Sequence, residues 1–152
     1  MHTRSMTTAD VVGALELWRA CEGVGLSEGD TPEGLEAFLR RNPGLSTVAL
    51  ADGRLIGALL AGHDGRRGHL YHLAVDAEFR GRGLGRALVD RATAALRAVG
   101  ITKCHVMVFC NNVSGRDFWD HLGWWRRDEL DVYTFVAEAS PAGESSANET
   151  PR

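Results

Sequence analysis

Residues 75 to 92, VDAEFRGRGLGRALVDRA, place three glycines at alternate positions and four arginines where one kind of local pattern hands over to another. No other stretch limits the fold so tightly. Upstream, GHLYHLAVD has the apolar, β-prone content of a strand ending near Val75. Downstream, Leu84, Leu88, Ala92, Leu96 and Val99 fall on one face of a helix over residues 83 to 99, closed by Gly100. A strand passing through a glycine turn into an amphipathic helix points to an α/β domain.

The remaining segments extend that plan. Residues 2 to 5 suit a short first strand. TTADVVGALELWRACE carries Val11, Leu15, Trp18 and Cys21 at helical spacing. TPEGLEAFLRRNPG predicts a second helix, capped by Thr31, opened by Pro32 and stopped by Asn42-Pro43-Gly44. Two apolar runs joined by Asp52-Gly53 read as a hairpin. KCHVMVFC predicts a strand buried on both faces. Asn112 can cap a helix from Val113 to Leu122, with Gly123 as its stop, and ELDVYTFVA suits a last strand. The expected order is β-α-α-β-β-β-α-β-α-β, one domain over residues 1 to 137 with a mixed sheet. Residues 138 to 152 hold no bulky apolar side chain and are expected to be a disordered tail.

Composition excludes several classes. With 44% hydrophobic and 24% charged residues, the chain has the balance of a soluble globular protein. No window approaches the roughly 18 apolar residues a membrane helix needs, and the opening residues lack the charged, apolar and small-residue regions of a secretory signal, so neither is expected. A net charge of -3 gives no bulk attraction to nucleic acid or to an anionic membrane, so neither is expected as a partner. The charge is uneven, however: residues 66 to 103 carry eight Arg or Lys against three acids. Cys21, Cys104 and Cys110 lack metal-ligand spacing, and on one strand the last two would lie roughly 20 Å apart, too far to bridge. Reduced thiols and a cytoplasmic location are the expectation. His63, His69 and His105 have no spacing that specifies a metal, and no metal site is expected.

The glycine turn has a chemical reading. A helix start offers unpaired N–H groups and the positive end of the helix dipole. Gly81, Gly83 and Gly85 let the backbone approach an anion closely, and Arg80, Arg82 and Arg86 add charge around it. A pyrophosphate suits that arrangement. A dinucleotide-binding turn would need G-x-G-x-x-G, but Arg86 stands at the third place, and no G-x-x-x-x-G-K-[ST] run exists. A flexible turn with solvated arginines is the plain alternative.

Leu73-Ala74-Val75, followed by Arg80-Gly81-Arg82-Gly83-Leu84-Gly85 and Leu88, resembles the acetyl-coenzyme A signature of the GNAT acetyltransferase superfamily, whose core is R/Q-x-x-G-x-G/A. NVSGRDFWDHLGW, Asn112 to Trp124, is similar to that family's N-x-x-A-x-x-F-Y-x-x-x-G-F. The similarity of plan covers about residues 3 to 136. It implies a GNAT fold: a central mixed sheet, flanked by helices and splayed between two parallel strands, here those ending near Val75 and Cys110. It implies acetyl-coenzyme A as co-substrate, its pyrophosphate held by the amides of Gly81, Arg82, Gly83, Leu84, Gly85 and Arg86. Leu73, Ala74 and Val75 would meet the pantetheine arm and polarise the thioester carbonyl. Asn112 aligns with a family asparagine near that arm, and a plain helix cap is its other reading. Trp119 stands at the helix position beside the cofactor.

The implied reaction is direct transfer of an acetyl group to a primary amine of a small molecule or a peptide amino terminus. The sequence departs from the family at two places. Trp119 replaces the helix tyrosine often used as acid, and Met107 stands where ribosomal-protein N-terminal acetyltransferases usually carry a glutamate. His72 is then a candidate base and Tyr71 or Tyr133 a candidate acid, with packing roles as the alternative. A catalytically silent acyl-coenzyme A sensor stays open beside the enzyme. The acids Glu22, Glu28, Asp30 and Glu33 weakly favour a cationic acceptor, and analogy admits a homodimer through the late strands.

Overall fold

The computed structural model describes residues 1–137; the tail expected from residue 138 lies outside them. The chain divides into two compact units, Met1–Phe109 and a second beginning at Cys110. The first contains strand β1 (His2–Ser5), helices α1 (Val11–Ala20) and α2 (Pro32–Arg41), and the strands β2 (Thr47–Ala51), β3 (Arg54–His63) and β4 (Gly68–Val75). Helix α3 (Leu84–Ala98) and strand β5 (Cys104–Val106) complete it. The second holds helix α4 (Val113–His121).

The sheet runs β1-β2-β3-β4-β5, antiparallel throughout except for the parallel pair β4–β5. Asp52 and Gly53 turn the β2–β3 hairpin with φ of 50° and 77°, the positive pair that a two-residue turn demands. β3 is covered on both faces from Ile56 to Gly62. On one side Val48, Ala58, Leu60 and Ala74 pack with Val11, Leu15 and Trp18 of α1 and Leu35 and Leu39 of α2. On the other, Leu88, Ala92 and Leu96 of α3 are buried, and the ends of Leu88 and Leu96 lie 3.1 Å from where a Cβ at Gly57 and at Gly68, respectively, would stand. Val99 does not join that stripe, being the exposed C-cap of α3.

α2 follows its sequence signals closely. Thr31 Oγ1 accepts the Gly34 N–H at 3.0 Å, Pro32 opens the helix and Asn42 ends it. At the sheet's first edge the Arg4 guanidinium donates to both carboxylate oxygens of Asp10, at 2.8 and 2.9 Å, fastening β1 to the start of α1.

Two strand expectations fail. KCHVMVFC forms a strand only over Cys104–Val106, half-buried rather than buried, with Met107 and Phe109 exposed. Its ladder with β4 holds only Gly68–Leu70 against Cys104–Val106, and among the described residues no strand pairs with the rest. ELDVYTFVA forms no strand: Leu130, Val132, Tyr133 and Phe135 are exposed, and among the described residues nothing pairs with them. Alternating apolar residues show a capacity for pairing, and a partner has to realise it. The three cysteines are free thiols. No described helix is long and apolar enough to cross a membrane.

Candidate functional site

β4 continues for five residues beyond its last pair with β5. Leu70 faces Val106 across the parallel ladder; Tyr71 to Val75 then run on, still joined to β3 but without a strand on the other side among the described residues. The departure begins at a bulge. Tyr71 pairs with Leu60 and Ala74 with Ala58, so β4 fits two residues, His72 and Leu73, opposite the single Leu59. His72 takes up the excess with φ of 59°, a left-handed value for a residue with a Cβ. Such strain is on the order of 1–3 kcal/mol and persists only where the surroundings hold it.

Those surroundings come from α1 and from the loop that joins it to α2. His72 Nε2 lies 2.9 Å from Asp30 Oδ1, and both side chains are largely buried. The second oxygen of Asp30 accepts the Ser27 N–H at 2.8 Å. Trp18 stands edge-on to the imidazole, ring centroids 5.2 Å apart, and its own buried Nε1 has no hydrogen-bond partner among the described residues. Burial pushes the Asp30 carboxyl up, but the bonds from His72 and Ser27 outweigh it, and the net displacement is below the usual carboxylate value. Asp30 is therefore held as a carboxylate between His72 and Ser27.

Tyr71 is half-buried among rings, edge-on to Phe38 at 6.0 Å and stacked at 6.1 Å with His69. Burial, and then the charge of Asp64, raise its phenol above the ordinary value, so it stays protonated.

Past Val75 the chain makes a short 3-10 turn, Ala77–Phe79, capped by Asp76, and enters the glycine stretch. Gly81 and Gly83 have φ of 76° and 81°. A Cβ added at either would meet nothing within 4 Å, so open space lies beside them. Gly83 is the N-cap of α3 and brings no side chain to bond the first-turn amides of Leu84, Gly85 and Arg86. First-turn N–H groups with no capping side chain, at the positive end of a 15-residue helix, fit an anion, and the residues present suit the pyrophosphate inferred for them.

Two of the three arginines around the turn bond backbone carbonyls. Arg80 turns back, its Nε donating to the Val75 carbonyl at 2.9 Å and its Nη2 lying 3.7 Å from Cys21 Sγ. Arg82 donates to the Glu78 carbonyl at 3.2 Å and lies over the Phe79 ring at 5.0 Å. Both shape the turn. Arg86, in the first turn of α3, sits 3.8 Å from Asp90 on an exposed surface, a loose pair of small energetic consequence.

Asn112 and Trp119 belong to the second unit. The Asn112 side chain caps α4, accepting the Gly115 N–H at 3.0 Å. Trp119 is buried and packs against Phe118 and Trp124, at 5.1 and 4.6 Å between ring centroids. Met107 and Tyr133 are exposed side chains. Sequence reasoning missed the tie between Asp30 and His72, since no spacing links residues 42 apart.

Residues 11–124 match the family model described as acetyltransferase (GNAT) family. An acetyltransferase of Pectobacterium atrosepticum is 37% identical over 109 residues, covering 71% of this chain and 76% of its own. Another, of Yersinia enterocolitica, is 32% identical over 131 residues, 86% of this chain and 92% of its own. Among solved structures, the PaiA N-acetyltransferase of Thermoplasma acidophilum in complex with coenzyme A superposes with a TM-score of 0.72. It is 21% identical and covers 86% of this chain and 92% of its own.

Proposed function

The chain belongs to the GNAT acetyltransferase family and is an acyltransferase; from that premise we propose that it transfers the acetyl group of acetyl-coenzyme A directly to a primary amine. The acceptor class we propose is a small molecule or a peptide amino terminus. The observation that carries this reading is the parting of β4 from β5 after Leu70 and Val106, next to the glycine turn at the head of α3. Coenzyme A in the Thermoplasma relative supports the same choice of co-substrate.

In this proposal the amides from Gly81 to Arg86 hold the pyrophosphate, and Leu73 to Val75 line the pantetheine arm along the unpaired side of β4. A backbone donor there stabilises charge developing on a carbonyl oxygen without reorganising. The bound thioester supplies an acetyl group whose C–S bond gives way to a C–N bond, with the sulfur leaving as thiolate. His72 accepts the proton that the amine nitrogen loses. Tyr71, still protonated, is the candidate donor to the thiolate. A positioned base contributes typically 10²–10⁴-fold.

Thiol release followed over a panel of amines tests the reading. Turnover on at least one amine is expected, with kcat lowered about 10²-fold in His72→Gln. Tight coenzyme A binding with no turnover on any acceptor would instead mark a silent acyl-coenzyme A binding module.

A further inference from the structure

We infer that Asp30 is a positioning residue that keeps a proton on Nε2 of His72 and so leaves Nδ1 as the basic nitrogen. The inference rests on the reading of His72 as base and extends it to the α1–α2 loop.

An ionised carboxylate can only accept hydrogen bonds. Asp30 Oδ1 lies 2.9 Å from Nε2, so Nε2 carries the hydrogen and donates it. In a neutral imidazole the other nitrogen then holds the lone pair. Several contacts restrain this arrangement. The bulge fixes the His72 backbone, and the Trp18 edge abuts the ring. Asp30 is held in turn. The Ser27 N–H donates to its Oδ2, while its own N–H donates to the Ser27 carbonyl at 2.9 Å. A methyl added at Gly34 would run into the Gly29 carbonyl oxygen, so the loop is seated closely on the start of α2. The pair therefore ties the α1–α2 loop to the bulge in β4, and an ordered loop and a correctly protonated base become one condition.

Asp30→Asn makes the inference testable. The Ser27 N–H still needs an acceptor, so the amide oxygen turns to Ser27 and the amide nitrogen faces His72. That nitrogen can only donate, which forces the hydrogen of His72 onto Nδ1.

Long-range proton–nitrogen NMR of the ¹⁵N-labelled full chain reads this directly, at a pH where the imidazole is neutral and with His72 assigned by its loss in His72→Gln. In the unmodified protein Nε2 is expected to be pyrrole-like and Nδ1 pyridine-like. In Asp30→Asn the two exchange character, kcat falls about 10²-fold, and coenzyme A affinity by calorimetry stays within about twofold, the last showing that the variant is folded. A pyrrole-like Nδ1 in the unmodified chain overturns the inference without recourse to any variant. So does an Asp30→Asn kcat within about twofold of the parent while His72→Gln is impaired. Unchanged kcat in His72→Gln overturns the base itself, and the tautomer then shows whether the pair has a purely structural role.

Discussion

Gly83 combines two requirements that no other residue type meets as well. It adopts φ of 81°, and it opens α3 with space beside it and no Cβ near the first-turn amides. A β-branched side chain there costs about 1–2 kcal/mol in the left-handed conformation and covers the donors as well. Gly83→Val is expected to weaken coenzyme A binding at least about tenfold, equivalent to about 1.4 kcal/mol. Calorimetry measures the affinity, and thermal unfolding without ligand separates lost binding from lost folding. An unchanged affinity would remove the turn from the binding site. Alternating glycines before an apolar stripe announced this position in the sequence. The bulge at His72 had no such signal, because it arises from the register of β4 on β3, and its partner Asp30 stands on a loop with no pattern of its own.

Helix α2 shows how a local signal acts at a distance. Thr31 caps it and directly follows Asp30, so the cap also fixes where the loop ends. Thr31→Ala is expected to cost about 1 kcal/mol, lowering Tm by about 2–4 °C, with Thr31→Ser close to the parent. Differential scanning calorimetry checks both. A Tm unchanged in Thr31→Ala would show that the loop is held by other contacts. Caps, hairpin turn and helical stripes were legible because each depends on residues within a few positions. The strands over 103–110 and 129–137 were not. Their apolar content describes a surface that could be paired, whereas pairing depends on whether another strand comes alongside. β5 loses that partner where β4 parts from it, and residues 129–137 have none among the described residues.

Across the whole molecule, the formal charge of -3 gives no general attraction for an anion, yet the segment from residue 66 to 103 carries five positive charges in excess. Folding turns two of its arginines, Arg80 and Arg82, onto backbone carbonyls of the turn. The main-chain amides that the resemblance implied as donors stay the proposed grip on the anion, with the arginines around them. In the proposed function those amides grip the nucleotide end of the co-substrate while the thiol arm follows β4 beyond its last pair with β5. Calorimetric titration of the full chain with coenzyme A and, separately, with pantetheine, which lacks the pyrophosphate, tests this most directly. Coenzyme A is expected to bind at least about 100-fold more tightly, a difference of about 2.7 kcal/mol. Equal affinities, or no heat with coenzyme A at millimolar concentration from folded protein, would contradict it.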